Sequence, residues 1–273
     1  MQNANGDRLP DGVERVRASN PGPLSLSGTN TYLVGSPAWV VDPGPADPEH
    51  VERVRAAAEG RGGIAGIALT HRHLDHAEAV AALRSASGAP VAASHEFAPR
   101  EEGRFREHEA QGIELDVALR EGDAFGPLRA VETPGHAADH LCFVFGTVLF
   151  SGDTVLGEGS VIIPPGGGSL ALYLDSLRRL ARLELSALCP GHGPVVWRPR
   201  EKIEEYIAHR LDRERRLVAA LERGLRRQEE ILDEVWDDVP AVLRPAAALT
   251  LETHLEKLEQ EGRLPPDVER ASL

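Results

Sequence analysis

The segment Thr70–His76 reads Thr-His-Arg-His-Leu-Asp-His and holds four side chains that can bind a metal ion. It follows an apolar, β-prone run and opens a helical pattern. Because side chains at positions i and i+2 of an extended chain point the same way, His71 and His73 can bind one ion. Asp75 and His76, where the chain turns into the helix, can bind a second ion beside it. Imidazole and carboxylate ligands together favour zinc, with iron or manganese as alternatives.

Three more candidate ligands lie later in the chain, each at the end of a β-prone run or the start of a turn. They are His136 in Thr-Pro-Gly-His, Asp153 in Phe-Ser-Gly-Asp and His192 in Cys-Pro-Gly-His-Gly. Each alone is ordinary for a turn, but loops on a rigid scaffold are where functional residues collect. Together with the His-rich segment, they indicate one metal site built from several strand ends.

This order of residues resembles the metallo-β-lactamase superfamily, whose members share the HxHxDH string and three later ligands. The resemblance implies an α/β fold in which helices cover two facing sheets, a four-layer αββα sandwich. It also implies two metal ions per chain with the following ligands: His71, His73 and His136 for the first ion, Asp75, His76 and His192 for the second, and Asp153 as a bridge.

Three stretches resemble a narrower branch, which includes β-lactamase-like endoribonucleases and fungal polyketide-releasing thioesterases. These stretches are Asn20–Val34, Ser151–Gly159 and Tyr206–Arg210. The branch carries a winged-helix-like C-terminal domain, so the resemblance implies a small helical domain of that type here. Few residues follow Leu264, which leaves little room for a full β-wing.

The chemistry expected of such a site is hydrolysis. Two divalent ions held about 3.5–4 Å apart lower the pKa of a shared water, which supplies a metal-bridging hydroxide. We therefore predict a dinuclear zinc-dependent hydrolase that needs no Ser or Cys nucleophile. Asp75 is expected to position the attacking water while binding the second ion. His140, four residues after His136, is expected either to support the ligands from behind or to protonate a leaving group.

The elements that position these residues alternate between strands and helices up to about residue 195. Apolar runs predict strands at 31–34, 38–41, 64–70, 91–94, 129–132, 140–145 and 148–150. Helices are predicted at 47–59, at 75–87 and from a cap at Ser169 to about residue 183. This alternation agrees with a layered α/β sandwich.

The composition changes after Val196, where charged residues dominate and apolar residues recur at helical spacing. Helices are predicted at 200–224, 229–236 and 245–261. We place a boundary near residue 200. The expected domains are a hydrolase domain at residues 1–200 and a winged-helix-like helical domain at residues 201–273.

Charge and composition exclude several classes of protein. The chain has 273 residues and a net charge of −13, shared almost equally between residues 1–200 and 201–273. An acidic surface repels phosphate, so no extended nucleic-acid groove is expected, although a small local phosphate site stays open. The sequence has no membrane-spanning apolar stretch and no secretory pattern at its start, and its two cysteines suit a reducing compartment. We expect a cytoplasmic protein, without a prediction of its oligomeric state.

The resemblance leaves two substrate classes open, single-stranded RNA phosphodiesters and small esters or thioesters. A periplasmic β-lactamase is not expected, because it would be exported and typically has Cys where this chain has Asp153. The large RNA-processing relatives need an added cap domain, for which the span between His136 and His192 is too short. An alternative from another class is a non-catalytic metal-binding interaction protein, acting through its C-terminal domain.

The remaining histidines and one charged segment are not assigned to the site. His209 is expected at the contact between the domains, and the others at the surface, namely His50, His95, His108 and His254. The charged segment Arg100–Gln111 is interpreted either as a mobile flank of the site or as a solvated loop.

Overall fold

The computed structural model of the chain describes residues 8–97 and 108–270. A first sheet contains six strands in the order β1-β2-β3-β4-β5-β6. These strands are β1 (Val13–Arg17), β2 (Asn30–Val34), β3 (Ala38–Val41), β4 (Ile64–Ala68), β5 (Val91–Ser94) and β6 (Val117–Leu119). β1, β2 and β3 pair in antiparallel fashion, whereas β3 to β6 run parallel to one another.

A second sheet contains five strands in the order β11-β10-β9-β8-β7. These strands are β7 (Ala124–Phe125), β8 (Leu128–Glu132), β9 (Leu141–Phe145), β10 (Val148–Gly152) and β11 (Ala187–Pro190). β7 to β10 pair in antiparallel fashion, and β11 joins β10 in parallel.

Seven α-helices accompany the sheets within the described residues. They are α1 (Pro48–Glu59), α2 (Leu74–Ala77), α3 (Val80–Ser87), α4 (Leu170–Leu180), α5 (Pro199–Glu222), α6 (Gln228–Val235) and α7 (Arg244–Gln260). Local chemistry defines two of their starts: the Asp47 carboxylate accepts the His50 N–H ahead of α1, and the Ser169 hydroxyl accepts the Leu172 N–H in α4.

Hydrophobic packing arranges these elements in four layers. One cluster lies between the two sheets and includes Tyr32 of β2 and Phe143 of β9. A second packs α1 and α3 against the outer face of the first sheet, and a third packs α4 against the outer face of the second sheet. Since each sheet is buried on both faces, the order of layers is αββα, as the resemblance predicts.

Helix α5 joins the sandwich to a small C-terminal helical domain. Ile203 and Tyr206, near its start, belong to the cluster of the second sheet. Leu217 and Leu221, near its end, belong to a separate cluster with α6 and α7. One helix therefore contributes to both cores, and the boundary near residue 200 stays a prediction.

Most predicted elements are present, with bounds within a few residues of those expected. The helix predicted at 75–87 is instead two short helices, α2 and α3, separated at Glu78 and Ala79. Four strands were not predicted, namely β1, β6, β7 and β11. No strand follows Leu264 within the described residues. None of the helices in the described ranges is long and apolar enough to cross a membrane.

Candidate metal centre

The seven predicted ligands meet at one edge of the sandwich, because each follows the end of a strand. The segment holding His71, His73, Asp75 and His76 follows β4, and it ends in the short helix α2. His136 follows β8, Asp153 follows β10 and His192 follows β11. The parallel and antiparallel pairings of these strands bring the four loops together, although they are up to about 120 residues apart in the chain.

The ligand atoms form two groups that could each hold a metal ion. The first group consists of His71, His73, His136 and Asp153, and the second of Asp75, His76 and His192. Within each group, the ligand atoms all lie within 4.8 Å of one another. In the first group, His73 Nδ1 lies 2.9 Å from His71 Nε2 and 3.0 Å from His136 Nε2. In the second, His76 Nε2 lies 3.3 Å from His192 Nε2.

Hydrogen bonds behind the groups determine which nitrogen of three ligand histidines is free of a proton. The Thr70 hydroxyl donates to Asp42 Oδ2 at 2.8 Å, so its oxygen is left to accept from His71 Nδ1, 2.9 Å away. His76 Nδ1 lies 2.9 Å from Asp42 Oδ2, and a carboxylate can only accept. His136 Nδ1 faces the carbonyl oxygen of Ile162 at 2.6 Å. All three rings therefore carry their proton on Nδ1.

When these rings are neutral, the Nε2 lone pairs of His71, His76 and His136 consequently point into the two groups. Several acceptor atoms about 3 Å apart repel one another unless a cation lies between them. Histidines oriented through their second nitrogen in this way are characteristic of metal ligands. Nitrogen and carboxylate donors, with no cysteine among them, suit a divalent ion. The residues therefore fit the metal ions that the sequence predicts.

Asp153 lies between the two groups. Its Oδ1 is 3.5 Å from both His76 Nε2 and His192 Nε2, and its Oδ2 is 3.8 Å from His136 Nε2. Oδ1 is buried and has no hydrogen-bond partner among the described residues. A buried carboxylate oxygen without a donor is costly unless an ion neutralises it. This arrangement suits a carboxylate that faces both groups.

The pKa values of the histidines differ between the two groups. Burial lowers the pKa of His73 to about 3, and it also lowers the pKa of His71 and His136. For His76, burial is outweighed by the carboxylates of Asp75, Asp153 and Asp42, which raise its pKa to about 9. Asp153 and Asp75 likewise overcome burial and raise the pKa of His192 to about 11. The second group thus attracts positive charge more strongly than the first.

Asp75 is the most accessible of the seven ligands, with 36% of its side chain exposed. Its Oδ2 accepts a hydrogen bond from Thr29 Oγ1 at 3.0 Å and lies 3.3 Å from His192 Nε2. Thr29 in turn is held by the Asn20 side chain, whose Nδ2 donates to Thr29 Oγ1 at 3.0 Å. The carboxylate is therefore oriented at the open side of the cluster.

His140 lies behind the ligands and is 1% exposed. Its Nε2 accepts a hydrogen bond from the Asp153 backbone N–H at 3.2 Å. Its Nδ1 therefore carries the proton and faces the hydroxyls of Thr133 at 2.8 Å and Thr154 at 3.2 Å. Both ring nitrogens are engaged inside the protein. Of the two expected roles, this geometry suits support of the ligands rather than protonation of a leaving group.

Arg72, between two ligand histidines, ties the His-rich segment to its surroundings. Its side chain is 4% exposed, and its Nε donates to Asp139 Oδ2 at 3.0 Å. Its Nη1 lies 3.6 Å from the buried Glu109 carboxylate. Because Asp139 belongs to the turn after His136, this ion pair connects two of the loops that carry ligands.

Sequence reasoning missed two supporting residues. Asp42 follows β3 in the sequence Val-Asp-Pro-Gly. Its position, a carboxylate at a strand end before a Pro-Gly turn, was a sequence signal that could have placed it at the site. Asn30 holds the turn that contains His192, because its Nδ2 donates to the carbonyl oxygens of Pro190 and Gly193, both at 3.0 Å. No local pattern reveals this contact, which joins residues 160 positions apart.

Two of the four histidines expected at the surface are buried. His50 and His254 are both 0% exposed, so these two predictions are wrong. His50 Nε2 donates to the carbonyl oxygen of Pro43 at 3.0 Å, and the His254 ring packs against Trp236. His108 is exposed and His95 is half-buried. His209 is exposed on α5, and residues 100–107 of the charged segment lie outside the described residues.

Two family models match the sequence. One, described as the metallo-beta-lactamase superfamily, matches residues 24–192 and thus spans all seven ligands. The other, described as the beta-lactamase associated winged helix domain, matches residues 228–265, which include α6 and α7.

Individual relatives match most of the chain. The beta-lactamase-like protein 2 homolog of Caenorhabditis elegans is 34% identical over 266 residues, covering 94% of this chain and 87% of the relative. The atrochrysone carboxyl ACP thioesterase of Aspergillus fumigatus is 31% identical over 256 residues, covering 86% and 76%. A solved structure of a metallo-beta-lactamase family protein from Thermus thermophilus gives a TM-score of 0.73 at 25% identity, covering 93% of this chain and 95% of that one.

Proposed function

The chain belongs to the metallo-β-lactamase superfamily of metal-dependent hydrolases, and we propose that it uses two zinc ions to hydrolyse small esters or thioesters. One observation carries the proposal: seven ligand side chains converge in two adjoining groups, and hydrogen bonds direct three imidazole lone pairs into them. An arrangement that serves structure alone would not need a carboxylate exposed on its open side, as Asp75 is.

The proposed ligands follow the two groups. His71, His73 and His136 hold the first ion, Asp75, His76 and His192 hold the second, and Asp153 serves both. Imidazole and carboxylate donors without thiolates favour zinc, with iron or manganese as alternatives. Bound together, two such ions would lower the pKa of a water molecule and polarise the carbonyl oxygen of the ester or thioester.

The chain's own residues orient the reacting groups. Thr29, His76 and His192 all lie against Oδ2 of Asp75, which leaves Oδ1 to accept a hydrogen bond from the attacking water. His140 is a positioning residue, because its Nε2 accepts the backbone N–H of Asp153 and so sets the place of that carboxylate. Neither role requires a nucleophilic side chain.

The choice of ester or thioester over RNA has two supports. A relative that matches 86% of this chain is named as a thioesterase. The net charge of −13 also opposes binding of a polyanion along an extended surface. Single-stranded RNA is therefore kept as a comparison substrate in the test.

The test combines metal analysis with a side-by-side assay. Zinc-loaded protein should contain two ions per chain and hydrolyse acyl thioesters faster than single-stranded RNA or a chromogenic β-lactam. His73→Ala should lose metal and activity together, whereas His95→Ala, a histidine outside the cluster, should retain both. Less than one ion per chain, or an active His73→Ala variant, would overturn the proposal. A fully loaded protein without hydrolytic activity would favour the alternative of a non-catalytic interaction protein.

A further inference from the structure

A cavity of about 500 Å³ lies between the sandwich and the C-terminal domain, against the turn that carries His136. Its sandwich side is formed by the loop that precedes α4, by Leu172 in the first turn of α4 and by the turn around His136. Its other side is formed by α7 and Arg270. The lining residues are Gly135, Ala138, Gly166, Gly167, Gly168, Ser169, Leu172, Glu256, Glu259, Gln260 and Arg270.

The loop that precedes α4 lines the cavity and also contacts the turn that carries His136. The Ile162 carbonyl oxygen of this loop accepts from His136 Nδ1 at 2.6 Å, and the Ser169 N–H donates to the Gly135 carbonyl oxygen at 2.7 Å. A Cβ at Gly168 would come within 2.5 Å of that same oxygen. The loop that orients His136 is thus also one wall of the cavity, pressed against the ligand turn.

The two walls differ in chemistry. The sandwich wall consists mainly of glycine backbone and the side chain of Leu172, which is 50% exposed. The wall on α7 is acidic. Arg270 NH1 donates to Glu259 at 2.8 Å and its Nε donates to Glu252, so its charge is shared by two carboxylates. Glu256 forms no ion pair within the described residues, and burial raises its pKa, with Glu252 adding to the effect.

We propose that this cavity receives an uncharged portion of the substrate, and that Glu256 and Glu259 exclude substrates whose corresponding portion is anionic. The inference rests on the proposed hydrolase function, since it assigns the specificity of the same site. The wall presents two carboxylates, Glu256 and Glu259, against one guanidinium, Arg270, which also pairs with the buried Glu252 behind it, and this leaves an excess of negative charge facing the cavity. A carboxylate or phosphate brought to this wall would be repelled, whereas an alkyl chain or amide would not.

Two variants change the wall without touching a metal ligand. Glu256→Gln removes one charge at constant shape. Leu172→Trp enlarges a side chain that is already half exposed and so reduces the cavity from its other wall. Their matched controls are Glu230→Gln and Leu211→Trp, whose parent side chains are also partly exposed but lie away from the cavity.

The substrates vary charge on each side of the scissile bond. In the first pair, a butyryl thioester has a neutral acyl group and a succinyl thioester has an anionic one. In the second pair, N-acetylcysteamine is a neutral thiol portion and coenzyme A is an anionic one. We expect Glu256→Gln to raise kcat/KM for the anionic member of one pair about fivefold relative to its neutral partner, as expected for one unit charge about 4 Å away in water. The pair that responds identifies the portion in the cavity. Leu172→Trp should weaken the binding of compounds with longer acyl or thiol groups more than the binding of compounds with acetyl or methyl groups.

Direct binding separates this proposal from the proposed function. Non-hydrolysable thioether analogues of the same four compounds are titrated into zinc-loaded protein by calorimetry. If the wild type hydrolyses no thioester but still prefers neutral analogues in a Glu256-dependent way, the proposed activity fails and the cavity assignment holds. If the wild type hydrolyses thioesters and neither Glu256→Gln nor Leu172→Trp alters any ratio of rates or affinities relative to the controls, the cavity assignment is overturned.

Discussion

Replacing Asp42 with Asn should weaken binding of the ion held by Asp75, His76 and His192 by about ten- to hundredfold. Asp42 Oδ2 lies 2.9 Å from His76 Nδ1 and accepts from Thr70 Oγ1 at 2.8 Å, while Oδ1 accepts from the Thr70 N–H at 2.8 Å. Each of these neighbours points a proton at the carboxylate. An amide offers one oxygen and one NH₂ group, so at least one contact must fail.

Each orientation of the new side chain has its own cost. With the amide oxygen toward the Thr70 N–H, the NH₂ group faces His76 Nδ1, and His76 then keeps its proton on Nε2, where it cannot bind a cation. With the oxygen toward His76, two buried donors oppose each other, which costs about 1–3 kcal/mol. The first outcome lowers metal affinity and the second lowers stability. Backbone strain does not contribute, because the left-handed φ of 51° at Asp42 suits Asn as well.

Two measurements on the same protein distinguish these outcomes. Competition with a chromogenic chelator gives the Kd of each ion, and urea unfolding of the metal-free protein gives the free energy of unfolding. Asp47→Asn is the matched control, because this nearby carboxylate caps α1 outside the cluster and Asn is also a good cap. Wild-type affinity for both ions, together with an unchanged free energy of unfolding, would show that the Asp42 network does not orient the ligand.

Three further predictions concern stability. Removing the metal with a chelator should lower Tm, by the equivalent of about 4 kcal/mol for each ion present at a thousand times its Kd, and in His73→Ala, which lacks a ligand of the first ion, calorimetry should show the shift of one ion instead of two. Arg72→Met should lower the free energy of unfolding, measured in urea, by about 3–5 kcal/mol. Adding Asp139→Asn to Arg72→Met should lower it by less than Asp139→Asn does alone, and simple additivity of the two effects would contradict a buried ion pair. Burial, and then Arg210, hold the pKa of His254 well below 6.5, so the unfolded chain binds the extra proton as pH falls and stability is lost below about pH 6.5. When the pH falls from about 7.5 to 5.5, the free energy of unfolding of the zinc-loaded wild type should decrease by about 1.4 kcal/mol more than that of His254→Phe. Equal decreases would refute this prediction.

Local spacing, together with the family resemblance, was enough to predict the candidate ligands, because the His-rich string at residues 71–76 and the later turns each combine such a residue with a strand end. A local signal of another kind, helical periodicity, existed for the two histidines that were wrongly predicted at the surface. His50 precedes Val54 and Ala58 at four-residue intervals on α1, and His254 lies on the same face of α7 as Leu251 and Leu258. Helical periodicity therefore predicted their burial, but the polarity of imidazole concealed it.

The parts that sequence reasoning missed depend on contacts between distant residues. Strands β6 and β7 have only three and two residues, too few to show alternation, and they form because neighbouring strands offer them partners. The contact of Asp42 with His76 joins two loops that are adjacent only once β3 and β4 pair in parallel. Such supports follow from the topology, whereas the candidate ligands could be predicted from the local order of residues.

Net charge bears on binding along an extended surface, but it does not give the charge that a substrate meets at the metal centre itself. Two divalent ions would more than neutralise Asp75 and Asp153, so the centre itself would attract an anion. The adjoining wall of the cavity has the opposite sign, because Glu256 has no ion-pair partner among the described residues and Arg270 is shared by Glu252 and Glu259. Selection by the wall therefore follows from local ion pairing, and it would persist if the chain's total charge were changed elsewhere.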